Sequence, residues 1–302
     1  MSSTHGVEGQ ERLGFVLALS AYLFWGVAPL YFALMEGIGA VEVVIHRTLW
    51  SSILLAGWIS GTRRWHRVVM IFKTPRTLLA VAISAPLIAV NWTIFVWAIE
   101  VDRLTDASLG YFLNPLMFIV GGVLVFQERL SRVQMVALVI AVAGVAYLTI
   151  RTGELVWVAP ALAGTFAAYG LIRKWGNVPP TGGLLVETAA LLPVAALLLG
   201  FGIDFQGAGA LWQFGRDWAD SAMLVGVGLV TILPLIWFNA GAQRLPYKYM
   251  GFMQFIAPSI MFVLAIFVLN ESMELVKLQA FIAIWAALIL LIVEQIKQAR
   301  RG

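Results

Sequence analysis

Apolar residues fill whole stretches of this chain, about 20 residues at a time, and short polar segments separate them. A helix needs roughly 20 mainly apolar residues to cross a bilayer. Ten such windows can be cut: residues 13–35, 41–60, 77–99, 104–126, 133–150, 155–174, 182–201, 222–242, 247–269 and 275–296. The pattern predicts an all-α polytopic membrane protein of ten transmembrane helices, with polar tails at 1–12 and 297–302. One window carries a flaw: His46 and Arg47 stand side by side in VEVVIHRTLWSSILLAGWI, less than two turns into an apolar run.

Composition agrees with the windows. Of 302 residues, 61% are hydrophobic and only 12% charged, and the mean hydropathy is +0.90, values that belong to a polytopic membrane protein. Charge adds an orientation, because cytoplasmic segments near span ends are enriched in Lys and Arg. With the N-terminus inside, fifteen of the twenty Lys and Arg fall in inner segments, four in outer ones, and Arg47 within a span. Both termini are therefore expected in the cytoplasm, the first span being an uncleaved anchor. The net charge of +4 follows from this asymmetry and implies no nucleic-acid partner.

Several chemistries lack their parts. The chain has no cysteine, which removes disulfides, thiolate catalysis and iron–sulfur clusters. It carries no G-x-x-x-x-G-K-[ST] phosphate loop, no G-x-S-x-G and no H-E-x-x-H, and no His/Asp/Glu cluster has metal-ligand spacing. The longest segment between spans, roughly 202–221, is too short for a soluble domain. The expectation is a non-enzyme without metal or cofactor.

The chain also repeats itself. LGYFLNPLMFIVGGVLVFQERL (109–130) and FMQFIAPSIMFVLAIFVLNESM (252–273) align Pro115 with Pro258 and Glu128 with Glu271 at an offset of 143, and Trp25-Gly26 meets Tyr169-Gly170 at 144. This divides the chain into a five-helix half at 13–150 and another at 155–296. An odd number of spans per half inverts the second copy, the 5+5 architecture of many secondary transporters, whose substrates bind near the midplane between the halves.

With these features the sequence resembles the EamA-type branch of the drug/metabolite transporter superfamily, and within it the RarD group. The resemblance is carried by AYLFWGVAPLYF, HRTLWS, NWTIFVWAI, ASLGYFLNPL, GLIRK, ETAALLPVA and GFMQFIAPSIMF, and runs from about residue 13 to 296. Lys248 and Tyr249 in PYKYMGF depart from the pattern, as does Asn270, where a glycine is usual. The resemblance implies a bacterial inner-membrane transporter; the name of the group is tied to chloramphenicol sensitivity, which does not identify a physiological substrate.

A charge at the bilayer centre costs roughly 2.5–3.5 kcal/mol on insertion scales unless it finds a partner or a wet cavity. An offset of 140 sets Arg47 opposite Glu187 in the other half, so the two are expected near the midplane and able to approach. Three readings stay open: a buried ion pair that glues the halves, a site where Arg47 meets a substrate anion with Glu187 holding it or meeting an amine, and a coupling site where Glu187 or His46 takes up a proton. Asn91, Asn114, Asn239 and Gln254 also lie in apolar runs, where an amide must be paired or wet. Asn91 and Gln254, beside aromatic or soft neighbours, rank higher as ligand contacts, together with Asn114, Trp92 and Tyr111. Glu128 and Glu271, at helix ends, are expected to cap loops, and Pro115 and Pro258 to serve gating. The GWISG match at 57–61 is a weak helix-dimer signal.

The expected protein is a secondary active or facilitative transporter, exporting a small organic metabolite or amphipathic drug-like compound by alternating access. Its partners are that solute, the lipid bilayer and protons as the candidate coupling ion; oligomeric state is open. A membrane enzyme or a non-transporting scaffold or sensor is the alternative.

Overall fold

The computed structural model of the chain describes residues 2–35, 37–126, 131–153, 157–200, 213–242, 244 and 253–299. Among the described residues there are eleven helices and, apart from one isolated bridge between Phe214 and Asp217, no strand pairing. The helices are α1 (Ser2–Ala33), α2 (Ala40–Gly61), α3 (Trp65–Lys73), α4 (Pro75–Glu100), α5 (Leu104–Phe126), α6 (Arg132–Thr152), α7 (Val158–Trp175), α8 (Pro180–Gly200), α9 (Trp218–Ala242), α10 (Ile256–Phe267) and α11 (Leu275–Ala299). Seven of them, α1, α2, α4, α6, α8, α9 and α11, contain segments long and apolar enough to cross a membrane.

Local chemistry sets the boundaries. Ser131 and Gln134 close a capping box ahead of α6, each side chain accepting the other's backbone N–H, at 3.0 and 2.9 Å, which satisfies donors the first helical turn leaves open. The same helix stops at Gly153, whose φ of +69° is left-handed and suits a residue without Cβ. Asn270, where the resemblance leads to the expectation of a glycine, sits at φ +55°, a conformation asparagine tolerates better than most residues. Helix α3 is an element that apolar windows do not reveal. It has nine residues, buries Val68 and Ile71, and leaves Trp65, Met70 and Phe72 exposed.

The packing exchanges partners between the two parts of the chain. Helix α1 lies against α9 and α10, and α7 against α4 and α5; α2 lies against α9 and α8, and α8 against α4 and α2; α5 pairs with α10, and α6 with α11. Polar contacts gather the helix ends into two layers. At one end Glu100 accepts the Ala40 N–H, Glu42 accepts from Gln213 and Phe214, and Glu271 from Leu104 and Thr105. At the end carrying α3, Thr77 donates to the Gly176 carbonyl at 2.8 Å, and Arg76 lies over the Trp175 ring. Between these layers α5 and α7 run inside: no described side chain from 104 to 117 or from 161 to 175 is exposed.

Candidate functional site

Neighbours on a helix point about 100° apart, and α2 sends His46 and Arg47 into different surroundings. The Arg47 guanidinium sits over the Trp92 ring of α4, 4.2 Å from its centroid, and 5.7 Å from that of Phe32 on α1. The Tyr111 side chain of α5 lies near it. Nε and Nη1 of Arg47 are buried and have no hydrogen-bond partner among the described residues. Stacking on a desolvated indole returns about 2 kcal/mol, less than the roughly 2.5–3.5 kcal/mol of placing the cation there. What is missing is an acceptor.

His46 is occupied elsewhere. Trp50 Nε1 donates to its Nδ1 at 3.1 Å, and its ring lies 4.5 Å from that of Phe214. One turn earlier on α2, Glu42 accepts the N–H groups of Gln213 and Phe214, both at 2.9 Å. His46 and Glu42 together hold the segment entering α9 against α2. Of the His-Arg pair, only Arg47 lies in the aromatic cradle.

The expected approach of Arg47 and Glu187 is not what the chain adopts. Glu187 is fully buried and ion-paired with Arg173 of α7; it also accepts from Ser84 Oγ of α4 and, at 3.2 Å, from Tyr169 OH. Arg173 donates further to Tyr169 OH at 2.9 Å and to the carbonyls of Pro179 and Pro180, each at 3.1 Å. Helix rise gives the reason. Arg47 lies about 5 Å before the centre of α2 and Glu187 about 5 Å before the centre of α8. If α2 and α8 run in opposite directions, those positions are separated by roughly 10 Å along the bundle. Equivalence in an inverted repeat gives mirror depths and not a shared one.

The other candidates divide. Asn91 Nδ2 donates to the Leu162 carbonyl and to Thr165 Oγ1, both at 2.9 Å, so this amide ties α4 to α7. Trp92 forms the floor under Arg47. Tyr111 is half-buried, and one turn along α5 the Oδ1 of Asn114 is buried with no donor among the described residues. Gln254 is half-buried just before α10. Pro115 stands inside α5, whereas Pro258 is the third residue of α10, where a missing N–H breaks no helix bond; its carbonyl accepts from Ser108 Oγ at 2.8 Å. The two prolines are thus not equivalent in their helices. Glu271 caps the start of α5 through the N–H groups of Leu104 (2.6 Å) and Thr105 (3.0 Å). Glu128 and the side chain of Asn239 lie outside the described residues, and Gly57 and Gly61 of GWISG face open space.

A continuous run of rings joins the two charged centres. Phe32 meets Phe95 at 5.9 Å, Phe95 meets Tyr111 at 5.7 Å, Tyr111 meets Phe166 at 6.5 Å, Phe166 meets Tyr169 at 6.3 Å, and Arg173 lies over Tyr169. Arg47 occupies one end of this wall and the Arg173–Glu187 pair the other. Tyr111, Phe166 and Tyr169 are half-buried on helices that lie inside the bundle. The residues that sequence reasoning missed are Arg173, Phe32, Phe95 and Phe166. Tyr169 and Arg173, four apart at the end of an apolar helix, were the available signal.

Residues 12–150 match the model of the EamA-like transporter family. A protein of Vibrio cholerae named "Uncharacterized transporter" is 40% identical over 95% of this chain and 94% of its own length. "Protein RarD" of Escherichia coli is 39% identical over 97% of this chain and 98% of its own. "Chloramphenicol-sensitive protein RarD" of Pseudomonas aeruginosa is 30% identical over 96% and 98%. A solved crystal structure superposes with a TM-score of 0.58 at 18% identity, covering 95% of this chain and 98% of the other, a likeness of fold alone.

Proposed function

This chain belongs to the RarD group of the EamA-like transporter family, and on that premise we propose that it moves a small organic solute across the bacterial inner membrane by alternating access. Its ten apolar helices form two inverted five-helix halves, with the solute site between them and both termini in the cytoplasm. The exchange of packing partners supports this reading, since swapping α1, α2, α4, α5 and α6 for α7, α8, α9, α10 and α11 turns the principal interhelix pairings into one another. The distribution of Lys and Arg supports the orientation, with α3 at the cytoplasmic face.

The observation that carries the proposal is Arg47: a cation whose buried Nε and Nη1 find no acceptor among the described residues, laid on Trp92 with Phe32 beside it. A structural arginine would have its acceptors within the protein, as Arg173 does. One without them is arranged for something that arrives and leaves. Export is the proposed direction, and the solute is a metabolite or amphipathic compound.

The test is flux. Purified protein in liposomes is loaded with mixed metabolites, and efflux is followed by mass spectrometry in wild type and in Arg47→Gln. Efflux of a defined solute that wild type supports and a folded Arg47→Gln does not is the expected result. Equal efflux from both removes Arg47 from the site. Efflux of no solute, with product formed in detergent instead, turns the reading to a membrane enzyme.

A further inference from the structure

The charges around the aromatic wall are unbalanced in one sense only. Arg47 brings a positive charge whose buried Nε and Nη1 meet no acceptor among the described residues. A zwitterionic solute would need an acid as well, and the buried acids among the described residues are committed. Glu187 accepts from Ser84, Tyr169 and Arg173 and is fully buried. Both oxygens of Glu42 hold backbone N–H groups of 213 and 214. Asp106 is paired with Arg103 at 2.7 Å and Lys277 at 3.3 Å. Around the cation the walls are flat rings: Trp92 beneath it at 4.2 Å, Phe32 beside it at 5.7 Å, and Phe95 and Tyr111 continuing at 5.9 and 5.7 Å steps.

From this charge and shape we infer that the solute is a flat monoanion. Its carboxylate or similar oxyanion takes the free guanidinium donors of Arg47, and its ring system lies along Trp92 and Tyr111. The inference rests on the proposed transport site at Arg47 and narrows its solute class: a neutral amphipath leaves the cation unpaired, and an added ammonium group finds no uncommitted buried carboxylate among the described residues. A planar guanidinium fork suits an oxyanion, and aromatic faces favour an offset or edge-on ring over an aliphatic body of similar size.

Four probes separate the terms: 2-naphthoate (flat anion), 2-naphthamide (same rings, no charge), adamantane-1-carboxylate (same charge, no flat face) and 3-(2-naphthyl)alanine (same rings, with an added ammonium). Each is titrated against the purified protein in detergent, and the unfolding midpoint is read. The expected result is that 2-naphthoate raises the midpoint at concentrations at least tenfold below those of the other three. Arg47→Gln abolishes the shift, and Trp92→Leu brings 2-naphthoate down to the level of adamantane-1-carboxylate. Should Arg47→Gln fail to fold, Arg47→Lys keeps the charge but not the fork and weakens 2-naphthoate about tenfold. The inference is overturned if 2-naphthoate gives no shift, or if the amide, the amino acid or the adamantane acid equals it on wild type. If one of those others binds wild type but not Arg47→Gln, the site stands and only the solute class falls. If every probe binds Arg47→Gln as well as wild type, the site itself falls.

Discussion

The Arg173–Glu187 pair gives the most exacting stability test. Glu187 is fully buried, with an ion-pair partner and two hydroxyl donors, while Arg173 also satisfies the carbonyls of Pro179 and Pro180 in the α7–α8 connection. Glu187→Leu leaves Arg173 with neutral acceptors only, and removing one member of a buried pair typically costs about 3–5 kcal/mol. Arg173→Leu strands the carboxylate with Ser84 and Tyr169 and takes the Arg173 donor from the two carbonyls, for a cost in the same range. The double variant loses no charge balance. It forfeits mainly the bonds to Tyr169, Pro179 and Pro180, at about 1 kcal/mol each. The singles are therefore expected to be at least as damaging as the double, with a coupling energy of about 3 kcal/mol or more. Because heat unfolding of membrane proteins is often irreversible, the assay is equilibrium unfolding in mixed dodecyl maltoside and SDS micelles. Single effects that add to within about 0.5 kcal/mol would refute the reasoning.

Three further outcomes follow from the same contacts. Arg47→Gln removes a cation that the resting protein does not pair, so unliganded stability is expected to hold or to rise by up to about 2 kcal/mol; a loss above that size in the same micelles shows a hidden acceptor. Asn91→Leu deletes both bonds from α4 to α7 and is expected to cost about 1–2 kcal/mol, read by the same unfolding assay, with no loss at all contradicting the interhelical role. Burial holds the Glu271 carboxyl above its ordinary 4.5, against the opposing pull of the Thr105 and Leu104 N–H groups and Lys277. The folded state then binds that proton more tightly than the unfolded one, so this contribution favours folding below about pH 4.5 and fades as pH rises through the folded pKa. Glu271→Gln should flatten that window of the stability–pH profile, and an unaltered profile counts against it.

The helices were legible because lipid imposes one demand on every span, enough apolar length, and that demand is visible residue by residue. α3 was not, since nine residues with Val68 and Ile71 turned inward give too short a pattern to separate from a polar connection. At the site, sequence found which residues are out of place in an apolar run but not what each one meets. Asn91 and Arg47 look alike as buried polar groups; only the placement of Leu162 and Thr165 makes the first a tie, whereas Nε and Nη1 of the second meet no acceptor among the described residues. Glu42, which nothing in the sequence singles out, holds the segment at 213 and 214. Arg173, beside Lys174 and at the end of a span, carried the sign of a cytoplasmic loop charge, yet α7 brings it back to Glu187.

The sign of the solute also bears on direction. Export of a monoanion from a cell with an inside-negative potential moves charge down the field, and each elementary charge is worth about 2.3 kcal/mol per 100 mV, roughly a 50-fold concentration ratio. Arg47 does not alter that total, because whatever charge it carries through the membrane in the loaded step it returns in the empty one. A flat monoanion therefore needs no coupling ion to leave, and Glu187, locked to Arg173, need not titrate. In liposomes loaded with 2-naphthoate, a valinomycin-clamped potassium gradient that makes the lumen negative is expected to speed efflux, and one that makes it positive to slow it. Dissipating a proton gradient at fixed potential should leave the rate unchanged. Efflux that follows the proton gradient and ignores the potential would return Glu187 to the coupling role and require a neutral or proton-coupled cycle.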